Sequence, residues 1–321
     1  MHPFLKVTDR IARADKTLFS FELLPPLKGQ NFEHVQQAVD PLMEFAPAFV
    51  NVTYHQEEFV YKTLSNGYIE RKTVRKRPGT VGIAAALMYR YQVNVVPHII
   101  CGGFTREETE NALIDLHFLG IKNLLVVRGD PQASMKKFIP ETGGHAHAID
   151  LVSQINDLNK GIYIEDELLN VTATDFCVGV AGYPEKHIEA PNLESDLKYL
   201  KMKIDAGASY VVTQMFFDNR NYFDFVRRCR EAGINVPIVP GLKPVTSLAQ
   251  ISTLPQTFNI DMPDELVRAV QSCSDNKAVR QVGVEWAIAQ SRELIAQGVP
   301  VIHFYTMGRS DNVKKIAEAV F

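Results

Sequence analysis

Cysteine is sparse in this sequence, and the four present, Cys101, Cys177, Cys229 and Cys273, stand far apart. No CxxC pair offers a thiolate site for zinc or a centre for thiol exchange, and no dense disulfide framework can form. A reducing cytoplasm is the expected setting. Net charge is also small, −3 over 321 residues, without the basic excess that nucleic acid or an anionic membrane surface selects. A small molecule is the expected partner. No apolar run reaches transmembrane length, and the opening MHPFLKVTDRIARADK carries charges where a secretory signal needs an apolar stretch. Neither secretion nor a membrane span is expected. Finally, no G-x-G-x-x-G loop follows the first strand-like run, where FELLPPLKG stands instead. That argues against a dinucleotide-binding doubly wound sheet, the rival fold.

What is present is ample apolar content, 46% of the chain, arranged in short β-rich runs. They cover residues 17–24, 48–54, 93–100, 122–130, 176–184, 209–217, 236–242 and 299–306. Amphipathic helical patterns separate most of them. In TREETENALIDLHFLG a Thr cap and acidic residues precede Ala112, Leu113, Leu116 and Leu119, which share a helical face. Glycines in HFLGIKNLLVV, IDAGASYVVT and REAGINVPIV can each end a helix in the left-handed conformation before the next strand. Apolar strands alternating with helices require a parallel sheet covered on its outer face, and eight such units predict a single-domain (β/α)8 TIM barrel over residues 1–321.

Three segments break the rhythm. Residues 55–80 are polar and end in the basic RKTVRKRPG, which reads as a solvated loop face ahead of a nucleic-acid or phosphate patch. Residues 131–147 read as a long irregular loop, and 243–280 contain one clear helix, in DMPDELVRAVQSCSD.

Barrel enzymes gather chemistry at the C-terminal ends of their strands. Here those ends carry Glu22, Thr53 and Tyr54, His98, Arg128 with Asp130, Tyr183 with Glu185 and His187, Gln214, Lys243, and Tyr305 with Arg309. Each has a plain structural alternative. His98 can be a core histidine, Arg128 and Asp130 an ion pair, and Glu22 the partner of a buried Lys or Arg. The RGD tripeptide has an adhesion reading that a chain without a secretion signal does not favour. His145 and His147 have HxH spacing without further suitably spaced ligands, so no metal is expected. Glu22 makes the strongest individual case, because an acid ending an apolar strand is desolvated and holds its proton near neutral pH. Pro25 and Pro26 stiffen the loop behind it. Asp196, Tyr199 and Lys203 lie at helical spacing, suited either to a cofactor's hydroxyls and phosphate or to a surface ladder.

Taken together, FSFELLPP, FVNVTY, VPHIIC, VVRGDP, VAGYPEKHIEA, LKYLKMKIDAGASYVVTQMFFD, VPIVPGLKPV and HFYTMGR resemble the methylenetetrahydrofolate reductase family, in family order and over nearly the whole chain. The resemblance implies a cytoplasmic, homo-oligomeric flavoprotein of one-carbon metabolism and methionine biosynthesis. It would convert 5,10-methylenetetrahydrofolate to 5-methyltetrahydrofolate with NAD(P)H through FAD, in ping-pong fashion. Glu22 falls on the family's general acid, placed to protonate N10 of the folate as its five-membered ring opens, and Asp130 lies near both flavin and pterin. By the same resemblance, FAD is held by Thr53, Tyr54, His98, Arg128, Gly129, Asp130, Ala148, Tyr183, His187, Asp196, Tyr199 and Lys203, and the folate by Gln214, Gln250 and Arg309.

Some positions depart from the family pattern. The 55–80 insertion is longer than in familiar bacterial members. Met215 and Leu254 stand where aromatics are common, and Tyr199 where an amide-bearing flavin contact is often found. The chain ends at Phe321 without the regulatory domain of larger eukaryotic members, so no adenosylmethionine inhibition is expected. Two other classes stay open: a flavin-free folate or homocysteine methyl transferase barrel, which would call for a thiol-bound zinc, and an inactive barrel serving as a binding subunit.

Overall fold

The computed structural model describes residues 4–131, 135 and 137–321. Ten strands run through the described residues: β1 (Leu18–Leu23), β2 (Val50–Val52), β3 (Glu58–Thr63), β4 (Ile69–Val74), β5 (Val95–Ile100), β6 (Asn123–Val127), β7 (Cys177–Gly182), β8 (Tyr210–Met215), β9 (Ile238–Leu242) and β10 (Val301–Tyr305). Eight of them close a barrel in the order β1-β10-β9-β8-β7-β6-β5-β2, every neighbour parallel. Each lies inside one of the eight predicted runs. The (β/α)8 TIM barrel is therefore the fold, and closure of β1 onto both β2 and β10 rules out the open doubly wound sheet.

Alternation along the strands divides the core in two. Outward residues such as Phe19, Phe21, Leu23, Val50, Val52, Ile302 and Phe304 pack with the surrounding helices. Inward residues, among them Val96, Leu125, Tyr210, Val212, Val239 and Val301, fill the barrel. The short helix Val7–Ala12 closes the floor: Val7 joins the inner core and its N–H donates to Asn123 Oδ1 at 2.7 Å.

The helix Arg106–Phe118 shows how local sequence sets an element. Thr105 and Glu108 form a reciprocal capping box, with the Glu108 N–H donating to Thr105 Oγ1 at 3.1 Å and the Thr105 N–H to Glu108 Oε2 at 2.8 Å. Gly120 ends it at φ 76°. Its buried face is Thr109, Glu110, Leu113 and Leu116, while Leu119 of the expected apolar stripe lies past the last turn and is exposed.

Residues 55–80, the polar segment that breaks the rhythm, hold a hairpin. β3 and β4 form an antiparallel hairpin from Glu58↔Val74 to Thr63↔Ile69, turning through Asn66-Gly67. Both strands are largely exposed, so the apolar alternation that marks a half-buried strand is absent from the sequence. The hairpin's foot is tied to the loop after β1: Arg77 hydrogen-bonds the Pro25 carbonyl, and the Lys28 N–H donates to the Lys76 carbonyl at 2.7 Å. The expected loop 131–147 has residues 132–134 and 136 outside the described set. Residues 243–280 hold the helices Gln250–Phe258 and Asp264–Gln271 and the start of Asn276–Ala296. These cover a third apolar cluster that takes in Met215, Phe217 and Leu254.

Candidate active site

Because Phe19, Phe21 and Leu23 face the helices, Ser20 and Glu22 face the barrel axis, and the same parity turns Asn51, His98, Gln214, His303 and Tyr305 inward. Glu22 sits at the C-terminal end, in register with Asn51 on one side and Tyr305 on the other. Its side chain is 12% exposed. Burial pushes its carboxyl up to about 8, so it is a carboxylic acid at neutral pH. His98 Nε2 lies 3.6 Å from Glu22 Oε2. Burial first, and then the neighbouring His55, push this imidazole down to about 3. The pair is thus two neutral groups in contact, not an ion pair. Asn51 Nδ2 approaches the same His98 Nε2 at 3.3 Å.

A second group of polar side chains forms beyond the ends of β6 and β7. Arg128 makes a two-pronged contact with Glu189, at 2.6 and 2.8 Å, and lies over the Phe138 ring at 5.0 Å. The Glu189 hydrogen bonds hold that guanidinium firmly charged. Gly129 follows at φ 88°, and the carbonyl of Asp130 accepts from Gln56 Nε2 at 2.9 Å. Tyr183 and His187 meet edge to face at 4.8 Å. Asp196 accepts the His187 N–H at 2.9 Å. Lys203 donates to the Ala181 carbonyl at 2.8 Å, and burial pushes its ammonium down to about 8 against the opposing pull of Asp196. Tyr183 and His187 both feel Asp196 and Arg128. Five expected residues, from the loops after β6 and β7 and from the helix Leu193–Asp205, therefore share one patch of field.

Between β5 and the helices on either side of it lies a cavity of about 400 Å³, lined by Tyr54, Arg75, His98, Ile100, Phe104 and the helix start Gly79–Gly82. Tyr54 rests against Phe104 at 5.1 Å. Of the expected residues, Tyr54 and His98 line it.

Residues 6–320 match the family described as methylenetetrahydrofolate reductase. The chain belongs to the methylenetetrahydrofolate reductase family.

Similarity to family members runs along the whole barrel. The chain is 33% identical to a methylenetetrahydrofolate reductase (NADH) of Arabidopsis thaliana, covering 98% of this chain and 50% of the plant protein. It is 30% identical to the 5,10-methylenetetrahydrofolate reductase of Pectobacterium carotovorum, covering 91% and 86%. It spans about half the length of the plant and yeast relatives that it matches. Among solved structures, a Clostridium thermocellum protein described as binding two copies of 5-methyl-5,6,7,8-tetrahydrofolic acid shares the fold at TM-score 0.55 and 14% identity, with 97% of each chain covered.

Other residues expected from the family pattern are more dispersed. Thr53 begins the loop after β2, its N–H donating to the Leu23 carbonyl at 3.1 Å. Ala148 opens the helix Ala148–Leu158. Gln214 Oε1 accepts the N–H of Met215 at 2.9 Å, and Gln250 Oε1 that of Thr246 at 2.7 Å. Both amides thereby keep their NH2 groups as the free donors. Arg309 is exposed in the turn after β10. Tyr199 is 56% exposed on the helix Leu193–Asp205, and Leu254 is buried among apolar residues. Of the HxH pair, His145 is buried against Gln154, and the His147 N–H donates to Asp150 at the start of the next helix. Sequence reading passed over Asn51, Phe104, Phe138 and Glu189. Asn51 alone carried a usable signal, a polar residue at the inward phase of AFVNVTY.

Proposed function

We propose that this barrel reduces 5,10-methylenetetrahydrofolate to 5-methyltetrahydrofolate, with NAD(P)H as reductant and FAD as cofactor. The observation that carries the reading is Glu22, a carboxyl that burial keeps protonated at neutral pH at the catalytic end of the barrel. General-acid catalysis needs such a group at working pH. Glu22 donates its proton to N10 of the folate as the five-membered ring opens. The carboxylate of Asp130 favours the positive charge that ring opening leaves on the substrate. Gln214 and Gln250 offer their amide NH2 groups to the folate, with Arg309 as a further contact.

The polar group beyond β6 and β7 fits FAD. Lys203 is a partly desolvated ammonium with one hydrogen bond to a carbonyl, which leaves N–H donors for a phosphate oxygen. Arg128 supplies a second cation, and Gly129 presents backbone without a side chain. Tyr183, His187, Asp196, Thr53, Tyr54, His98, Ala148 and Tyr199 complete the set that would bind it. When bound, FAD supplies a two-electron carrier between nicotinamide and folate. The two substrates using one place in turn gives ping-pong kinetics. Action in the cytoplasm as a homo-oligomer belongs to the same reading.

The test is the visible spectrum of the purified protein, recorded without oxygen before and after NADH and then after methylenetetrahydrofolate. Flavin bands that bleach with NADH and return with the folate are expected. A protein that neither carries nor binds FAD overturns the reading.

A further inference from the structure

Beneath the catalytic end, three inward side chains from consecutive barrel strands meet: Glu22 on β1, Asn51 on β2 and His98 on β5. His98 Nε2 is their common point, 3.3 Å from Asn51 Nδ2 and 3.6 Å from Glu22 Oε2. Asn51 and His98 are buried, Glu22 keeps 12% of its side chain exposed, and Asn51 Oδ1 is buried without a partner. An amide nitrogen can only donate, so the ring nitrogen it approaches must be the unprotonated one. His98 then carries its proton on Nδ1 and turns a lone pair toward Glu22. A carboxylate facing that lone pair is repelled, whereas a carboxylic acid can donate to it. Reversing the amide would leave its NH2 as the unpaired group in place of Oδ1, so the count of unpaired atoms is the same either way. Glu22 decides between the two arrangements. No Lys or Arg side chain forms an ion pair with it among the described residues, and a desolvated acid without a cation keeps its proton and needs an acceptor.

We infer that Asn51 is a positioning residue for the proton of Glu22: its amide holds His98 in the Nδ1–H tautomer, and the single Nε2 lone pair is shared between that amide and the carboxyl hydrogen in a long three-centre contact. This rests on the reading of Glu22 as the general acid. It adds a residue that never touches substrate and acts through His98. Other titratable groups surround this corner. His55 and Arg77 come from the two ends of the hairpin segment. Tyr305 on β10 feels both Glu22 and Tyr183 beyond β7, and His303 on β10 feels His98. None of these is placed to choose the tautomer, because Asn51 is the side chain hydrogen-bonded to the Nε2 edge.

The test has two arms. In the unaltered protein, nitrogen NMR of labelled histidine, with His98 assigned by substitution, should show Nδ1 protonated and Nε2 bare. A protonated Nε2 overturns the inference whether or not the protein turns over folate. In Asn51→Leu, a substitution of similar volume, the ring is free to present Nε2–H to Glu22 and thereby favour its ionised form. The upper pH limb of folate reduction should move down by about one unit or more, while bleaching of bound flavin by NADH keeps its rate. An unmoved limb, or equal loss of both half-reactions, overturns the inference. An unaltered protein with the expected tautomer but no flavin chemistry counts instead against the proposed function.

Discussion

Tyr305 and Gly241 are fitted to one another. From β10 the phenol passes over β9 and donates to the Thr213 carbonyl on β8 at 2.6 Å, and Gly241 is the residue it crosses. A methyl at that position would lie 2.5 Å from the Tyr305 ring and 2.4 Å from the same carbonyl oxygen, both inside contact distance. Tyr305 is also the register partner of Glu22, so this fit supports the floor of the site. Gly241→Ala is expected to lower unfolding stability by about 1–3 kcal/mol through overpacking, measured by urea titration. Loss of less than a few tenths would show that Tyr305 can move aside.

Glu22→Gln separates proton donation from electron entry. The variant should still bind flavin and be bleached by NADH but fail to reduce methylenetetrahydrofolate. Normal folate turnover would remove Glu22 from its role.

The same substitution should change how stability depends on pH. Glu22 titrates near its ordinary 4.5 when unfolded and at about 8 when folded, so between those values the native state holds a proton that the unfolded chain has lost. Stability from this group is complete below 4.5 and falls as pH rises toward 8, by up to about 1.4 kcal/mol per pH unit. His98 and His303, pushed down to about 3 by burial, act in the opposite sense below about 6.5, and Glu185, pushed up to about 7 by burial, acts in the same sense as Glu22, so the difference between parent and variant in the window from about 7 to about 8 reports Glu22. Across it, Glu22→Gln should gain stability relative to the parent protein. Parallel curves would contradict a raised carboxyl.

Lys203 offers a test of the cofactor region. Lys203→Met keeps the apolar stem and removes the ammonium, and should weaken FAD binding about tenfold, the equivalent of one charge-assisted hydrogen bond. Flavin fluorescence on titration gives the constant. Unchanged affinity would place the phosphates elsewhere.

Gly67, at φ 82° in the hairpin turn, has open space around it, so Gly67→Val strains only the backbone. The expected loss is about 1 kcal/mol confined to the hairpin. Hydrogen exchange should quicken across residues 58–74 while the barrel melts as before.

The barrel was legible because its signals are local. Eight apolar runs, the Thr105 cap and the helix-ending glycines state themselves within a few residues, and Glu22 stood out as one acid in an apolar strand. The hairpin escaped because β3 and β4 bury no face, which left Asn66-Gly67 as the sole mark of a turn. The apolar stripe assigned to Leu119 failed for a related reason: periodicity does not say where a helix stops.

The sequence by itself therefore determined the order of the eight barrel strands, their parity and the family to which they belong, since these depend on side-chain size, spacing and turn chemistry. Tertiary structure alone decided that Asn51 and His98, 47 residues apart in the chain, would meet at Glu22, and that no Lys or Arg among the described residues would pair with it. Protonation depends on what surrounds a group in three dimensions, and desolvation by neighbouring strands is what makes Glu22 an acid.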